Sequence, residues 1–261
     1  MKLINAIATA LALCPLSASA ERKFYNPGNL NGWDYIRREN KGTVEAVTNV
    51  AYKGGNALKM TQTYTPGYTG RYHSEVDHNQ GYKRGDQLFY GFAFRLSEQW
   101  EFQPQSYNLA QFIANRPGAS CGGDDWMPSS MLWLEGDQLV SRVVSGQYRV
   151  PDCSRDIKTF PKLAKVSAGQ WHKVVIQASW KSDNTGFYKI WFDGNKVLEE
   201  YNRKTTLNDD SVFQFRIGLY ANAWHDDKHM EGSQSFRQVW YDEVAIGTTF
   251  ADVDPGQPDA S

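Results

Sequence analysis

Cysteine is scarce in this chain: 261 residues hold three, and Cys14 falls inside an N-terminal leader. Two remaining thiols, Cys121 and Cys153, are too few for a soft-ligand metal cluster. With no spare thiol, cysteine-nucleophile chemistry is excluded as well. Net charge is also nearly absent, at -1, with Lys and Arg scattered rather than clustered. That excludes the concentrated phosphate-neutralising surface that nucleic acid requires, though not a local basic cleft for an acidic polymer. Long apolar runs are missing except from Leu3 to Leu13, after Lys2 and before Ser17-Ala18-Ser19-Ala20. This run is too short to cross a bilayer and has the flanks of a secretory signal peptide cut after Ala20. The competing reading, a first helix of the fold, lacks those reasons. The mature protein is therefore expected to be secreted, extracellular and free of membrane. In that oxidising compartment Cys121 and Cys153 are expected to form a disulfide.

Aromatic residues are abundant, at 14%, with nine Trp and fourteen Tyr. They suit strands, and they suit sugar binding, where ring faces stack on pyranose C–H surfaces. β-Branched or alternating segments predict strands over Thr43–Ala51, Ala57–Thr63, Asp86–Leu96, Asn108–Ala114, Met131–Leu134, Gln138–Val144, Trp171–Trp180, Gly186–Phe192, Lys196–Leu198, Val212–Tyr220 and Gln238–Ile246. Gly and Pro turns punctuate them, and Asp193-Gly194-Asn195 marks a hairpin. Arg116–Ser130 reads as a long loop carrying Cys121, and Cys153 sits in a second polar loop, so the disulfide is expected to staple two loops at one end of a sheet. No convincing long helix, repeat or linker interrupts the pattern. The fold class predicted is all-β, a single-domain antiparallel sandwich over 21–251, followed by a disordered polar tail over 252–261.

The stretch Arg71-Tyr72-His73-Ser74-Glu75-Val76-Asp77 breaks the rule of apolar strand faces. With period two, Arg71, His73, Glu75 and Asp77 share a face, which cannot enter a dry core without pairing. It is either a solvated edge or the floor of a polar cleft, and we read it as the cleft. Gln111 lies in an otherwise apolar strand and is either a satisfied core amide or a cleft residue. Arg216, Gly218 and Tyr220 share a third face, and the loop beyond them presents Trp224 and His225 as polar and aromatic tips for substrate. His78, His172 and His229 read as structural. Taken alone, Tyr220 would be a core residue; only the joint pattern of Arg, His, Gln and Tyr on neighbouring strands argues otherwise. That set suits β-elimination from a uronate polymer, which needs a carboxylate neutraliser, a base for the C5 proton and an acid for the departing O4.

Gly70-Arg71-Tyr72-His73-Ser74-Glu75, Ala110-Gln111-Phe112-Ile113 and Gly218-Leu219-Tyr220 resemble the pattern of polysaccharide lyase family 20, and the likeness runs through the mature chain. The resemblance implies a β-jelly roll, endolytic cleavage of β-1,4-linked polyglucuronate and a bound calcium ion, with no organic cofactor. It maps the active-site positions to His73, Gln111 and Tyr220, beside which Arg71 is added from the strand face. Elimination from glucuronate is syn, so one side of the sugar ring sees both proton transfers. Tyr220 is expected to do both, with His73 holding it or taking the C5 proton itself. Gln111 and Arg71 would neutralise the carboxylate, and Arg216 would assist binding. Asp242, Asn56 and Glu45 are the candidate calcium ligands, a structural ion pinning terminal strands; surface polar residues without an ion are the competing reading. A monomer is the simplest assembly.

Two rival functions fit parts of the pattern. A jelly-roll glycoside hydrolase would use Glu75 and Asp77 as facing carboxyls, though it would need neither Gln111 nor Tyr220. A non-catalytic carbohydrate-binding protein would use the aromatics and calcium, but such modules are usually shorter and joined to something catalytic.

Overall fold

The computed structural model describes residues 20–118, 121 and 125–257. The expected signal peptide falls outside the described residues except for Ala20, and so does the last part of the tail, 258–261. In chain order the strands are β1 (Arg22–Asn26), β2 (Tyr35–Arg38), β3 (Thr43–Val47), β4 (Ala57–Thr63), β5 (His73–Tyr82), β6 (Gln87–Leu96), β7 (Ser106–Asn115) and β8 (Trp126–Glu135). They continue with β9 (Gln138–Gly146), β10 (Arg155–Lys165), β11 (Trp171–Ser179), β12 (Gly186–Phe192), β13 (Asn195–Arg203) and β14 (Phe213–Tyr220). Among the described residues a single short helix, α1 (Asn222–Asp226), precedes β15 (Phe236–Gly247).

The strands form an antiparallel sandwich, the fold class expected. One sheet has the order β13-β12-β11-β6-β15-β4-β3, with β1 also pairing to β15; the other runs β10-β9-β8-β7-β14-β5-β2. Alternation explains the core between them. Tyr90, Phe92, Phe94 and Leu96 of β6 point inward and are fully buried, against Phe112, Phe213, Phe215 and Trp180. Complete burial of each such ring contributes roughly 2–3 kcal/mol before entropy is counted. Buried polar tips are satisfied within the core: Trp180 Nε1 donates to the Tyr90 hydroxyl at 2.9 Å.

Gly91, the break in the alternation of β6, faces the other way. A Cβ there would lie 1.9 Å from the carbonyl oxygen of Val253. Val253 itself is buried, packed with Val175 and Ala245, beside Phe89, Trp191 and Phe250. The expectation of a disordered tail from Asp252 is therefore corrected over 252–257. Asp252 accepts hydrogen bonds from the backbone N–H groups of Thr248 and Thr249, which folds the segment onto the outer face of the sheet. Its polar, Pro-rich composition concealed a single apolar anchor.

Three strands, β1, β2 and β10, are absent from the sequence reading. β2 has four residues, and β10 is an edge strand with exposed side chains along most of its length, so neither shows an apolar period. The expected loop over Arg116–Ser130 is shorter than predicted, because β8 begins at Trp126. Pro128 is accommodated there at a register shift against Phe112 and Ile113 of β7, as a proline in a strand requires. Cys121 and Cys153 do form a disulfide, with Cα atoms 5.6 Å apart, joining the β7–β8 and β9–β10 loops. Among the described residues, no helix is long and apolar enough to cross a membrane.

Candidate active site

The register of the seven-stranded sheet assembles the site. Asp77 of β5 lies opposite Arg216 of β14, Arg216 opposite Gln111 of β7, Gln111 opposite Met131 of β8, and Met131 opposite Arg142 of β9. Residues directly opposite one another point to the same face, so this row lies on the outer face, away from the core. One row on, Gly218 is opposite Glu75, and in the row after that Tyr220 is opposite His73. Gly218 has φ +149°, and a Cβ would press on the Ser74 carbonyl at 2.3 Å. The bare backbone there lets the two strands meet beneath the polar groups. A cleft of about 380 Å³ opens above this floor, lined by Arg71, His73, Gln111, Arg216 and Tyr220 among others.

The central pair is His73 and Tyr220, whose ring centroids are 3.8 Å apart at 35°. Arg71 precedes β5 yet still reaches the cleft, where its Nη1 donates to the Tyr220 hydroxyl at 2.9 Å. Burial pushes the Tyr220 phenol up to about 12, while the Arg71 charge pulls it the other way. On the far side of the imidazole, Nδ1 meets Glu39 Oε2 at 2.6 Å. Burial opposes ionisation of Glu39, but the His73 hydrogen bond and charge prevail and hold it below the usual carboxylate range. His73 Nε2 is 3.7 Å from Glu75 Oε2.

Glu75 and Asp77 are fully buried. Gln111 Nε2 donates to Glu75 Oε1 at 3.0 Å, and Arg216 Nη1 is 3.7 Å from Glu75 Oε2. Asp77 is held between Arg37 Nη2 at 2.9 Å and Arg216 Nε at 2.7 Å. The hydrolase alternative is corrected on this point. Both carboxylates neutralise the floor, and they do not face each other across an open cleft as acid and base must.

Trp224 requires a second correction. It is not a loop tip but a core residue of α1, 1% exposed, with Nε1 donating to the Tyr107 hydroxyl at 3.2 Å. Asn222 and Asp226, four residues apart and so on one helix face, line the cleft instead. His225 falls off that face and bonds to Asp226 at 2.8 Å; it does not line the cleft. His78, stacked on Phe24, and His172, bonded to Asp193, also lie outside it, as does His229, bonded to Glu231. The residues missed from sequence are Arg37 and Glu39, from β2 and the turn after it, and Trp126 and Arg142. Arg37 and Arg216 both lie over the Trp126 ring, at 5.5 and 5.4 Å. Arg37-Arg38-Glu39, three charged residues in succession, show no strand alternation, so the sequence held no signal for them.

The three candidate calcium ligands are only partly assembled. Asp242 Oδ2 accepts the backbone N–H groups of Tyr52 and Lys53, so the turn that leads to Asn56 does fold against it. Glu45 does not join them: it is exposed and lies opposite Lys59, in the row of Trp240 rather than of Asp242. Glu243 is buried next to Asp242, through a left-handed φ of +53° at a register shift of β15, and pairs with Lys53 at 3.6 Å. Among the described residues, no group of three or more His, Cys, Asp or Glu could hold a metal by side chains alone.

Comparison with known proteins places the chain in a family. A crystal structure of an endo-β-1,4-glucuronan lyase from the fungus Trichoderma reesei is 73% identical, covers 91% of this chain and all of that one, and superposes with a TM-score of 0.90. A PL-14 alginate lyase from Aplysia kurodai, 9% identical over 88% of this chain and all of its own, shares the fold at TM-score 0.57. So does a cellulose-induced protein, 16% identical over 81% of this chain and 88% of its own, at 0.51. No curated protein sequence matches. Residues 25–245, from β1 through most of β15, match the polysaccharide lyase family, and the chain belongs to that family.

Proposed function

We propose that the chain is a secreted, monomeric endo-acting lyase that cleaves β-1,4-linked polyglucuronate by syn β-elimination. The observation that carries this reading is the His73–Tyr220 pair, side by side on one cleft wall with Arg71 on the phenol and Gln111 beneath. The substrate follows from the 73% identity to the Trichoderma reesei enzyme. Secretion rests on the leader sequence, and the monomer on a cleft completed within one chain; a single sedimenting mass tests the latter.

Of the two assignments open from sequence, the geometry favours His73 as base and Tyr220 as acid. With Nδ1–H donated to Glu39, His73 Nε2 keeps its lone pair for the C5 proton. As that proton leaves, the C4–C5 double bond forms and the C4–O4 bond breaks. Tyr220, protonated because of burial, delivers its proton to O4. Arg71 then faces the resulting tyrosinate, and the imidazolium next to it returns the proton, closing the cycle. Gln111, with one amide N–H on Glu75, has its second for the substrate carboxylate, whose negative charge grows as C5 is deprotonated. Arg216 lends the floor positive charge but is engaged by Asp77.

Calcium belongs in this proposal as a structural ion at Asp242, away from the cleft and beside the turn that leads to Asn56, without Glu45. Asp242 and Glu243 are adjacent buried carboxylates, and since Glu243 is already paired with Lys53 at 3.6 Å, Asp242 is the charge a hard cation would neutralise. A chelator that leaves the melting temperature unchanged argues against it.

The test of the whole reading is ultraviolet absorbance during incubation with polyglucuronate, alginate and pectate in parallel. Growth of the conjugated unsaturated-uronate band with polyglucuronate is expected. New reducing ends without that band would overturn it.

A further inference from the structure

The cleft does not end at the reacting pair. Beyond Met131 it continues into an extension of about 290 Å³, bordered by Ser106, Trp133, Glu135 and Asp227. Met131, Arg142 and Asn222 line both spaces. Arg142 is the one Lys, Arg or His lining the extension among the described residues. Its guanidinium has no hydrogen-bond or ion-pair partner among the described residues, and its Nε is buried without an acceptor. A buried polar group in that state either carries a cost of order 1–3 kcal/mol or waits for a ligand.

The setting indicates which ligand. Arg142 stands two strands from Gln111 in the same row, about 10 Å away at ordinary strand spacing. That exceeds one pyranose ring, so a group bound at Arg142 belongs to a sugar beside the one being cleaved. Trp133 follows Met131 by two residues on β8 and therefore faces the same side, so an indole lines the same extension as the guanidinium. Asp226 lines the main cleft nearby and attracts Arg142 electrostatically, while Arg155 repels it. The remaining charges on the extension, Glu135 and Asp227, are acidic, and Asp227 is engaged by Gln105 at 3.3 Å. An anionic polymer entering there meets one available cation.

We propose that Arg142, with Trp133 as a stacking surface, forms a flanking subsite that binds the carboxylate of a uronate neighbouring the cleaved one. This deepens the polyuronate-lyase reading and rests on it. Arg142 is on this account a binding and length-selecting residue, not a participant in proton transfer. An arginine is suited to the task because its planar fork takes a carboxylate through two N–H groups.

The experiment compares wild type with Arg142→Gln, Arg142→Lys and Trp133→Ala on polyglucuronate and on a size-graded series of its oligomers. In Arg142→Gln, KM for the polymer should rise on the order of tenfold more than KM for the shortest oligomers cut, the loss of one charge-assisted hydrogen bond. The products should shift in length. Trp133→Ala should show the same dependence on length, and Arg142→Lys should restore part of it. An unchanged KM on polymer, or an equal loss at every substrate length, would overturn the subsite. Binding separates this from failure of the lyase reading. If wild type produces no unsaturated ends, polyglucuronate cast into a native gel still reports the subsite. Retardation of wild type beyond Arg142→Gln supports it, and equal mobility overturns it.

Discussion

His73 of β5 and Tyr220 of β14 lie directly opposite each other in register, and their rings touch at 3.8 Å. Because the pair is set by sheet register, removing one hydroxyl leaves the other ring in place. Tyr220→Phe should therefore lower kcat by about 10²–10⁴-fold, the usual worth of a positioned general acid, with little change in KM. A variant that kept most of its turnover in the unsaturated-end assay would remove Tyr220 from the chemistry. The same assignment fixes an alkaline limit. An acid must be protonated to act, and the phenol is pushed up to about 12, so kcat/KM should not fall on account of Tyr220 between pH 8 and 10. A fall there with the fold intact would assign the acid elsewhere.

Glu39 contributes through His73. Its carboxyl is held below the ordinary value of 4.5, so its stabilising contribution is complete above that value and is lost as pH falls through the lowered one. In Glu39→Gln, the melting temperature should lose this part of its dependence on pH below about 4.5. Activity should fall by roughly tenfold or more, because a neutral amide no longer favours the tautomer that leaves Nε2 free. Wild-type activity with a wild-type pH profile would make the contact incidental.

How far the site could be read from sequence depended on how far each residue's partner lay along the chain. His73, Glu75 and Asp77 announce a polar face through spacing alone, and Gln111 and Tyr220 stand out against apolar neighbours. What spacing cannot give is who neutralises whom. Arg37 is 40 residues from Asp77, on a strand too short to show a period, so two paired floor carboxylates resembled a catalytic couple. Trp224 was misplaced for a related reason. A five-residue helix has under two turns, and Asn222 and Asp226 reveal their shared face only once the helix is known. The sandwich itself was plain because strands such as β6 alternate cleanly, whereas β10, with Phe160 its one buried residue, has no apolar period to betray it.

The disulfide joins Cys121 and Cys153 across a separation of 32 residues. Closing a loop of this size is worth about 3–4 kcal/mol in the chain-entropy account. Cys121→Ser combined with Cys153→Ser should lower unfolding stability by up to that amount in a urea titration, with the slope of the transition little changed. Since the bridge ties loops rather than floor residues, kcat at low temperature should persist. Equal stability of the oxidised protein and the double variant would show that the bridge adds nothing to the fold.

Asp77 separates the floor's structural role from a catalytic one. It is fully buried between Arg37 and Arg216, and both guanidinia also lie over Trp126. Asp77→Asn keeps the volume but leaves two cations sharing a neutral amide, and breaking a buried pair in this way costs roughly 3–5 kcal/mol. Arg37 is partly exposed, at 20%, so water takes up some of the loss and the lower end of that range is expected. A urea titration should show it. Activity measured well below the variant's melting temperature should retain the unsaturated product, with KM rather than kcat carrying most of the change, because Arg216 is released from its anchor beneath the substrate. Abolished turnover in a variant of wild-type stability would mean that this carboxylate takes part in the reaction after all.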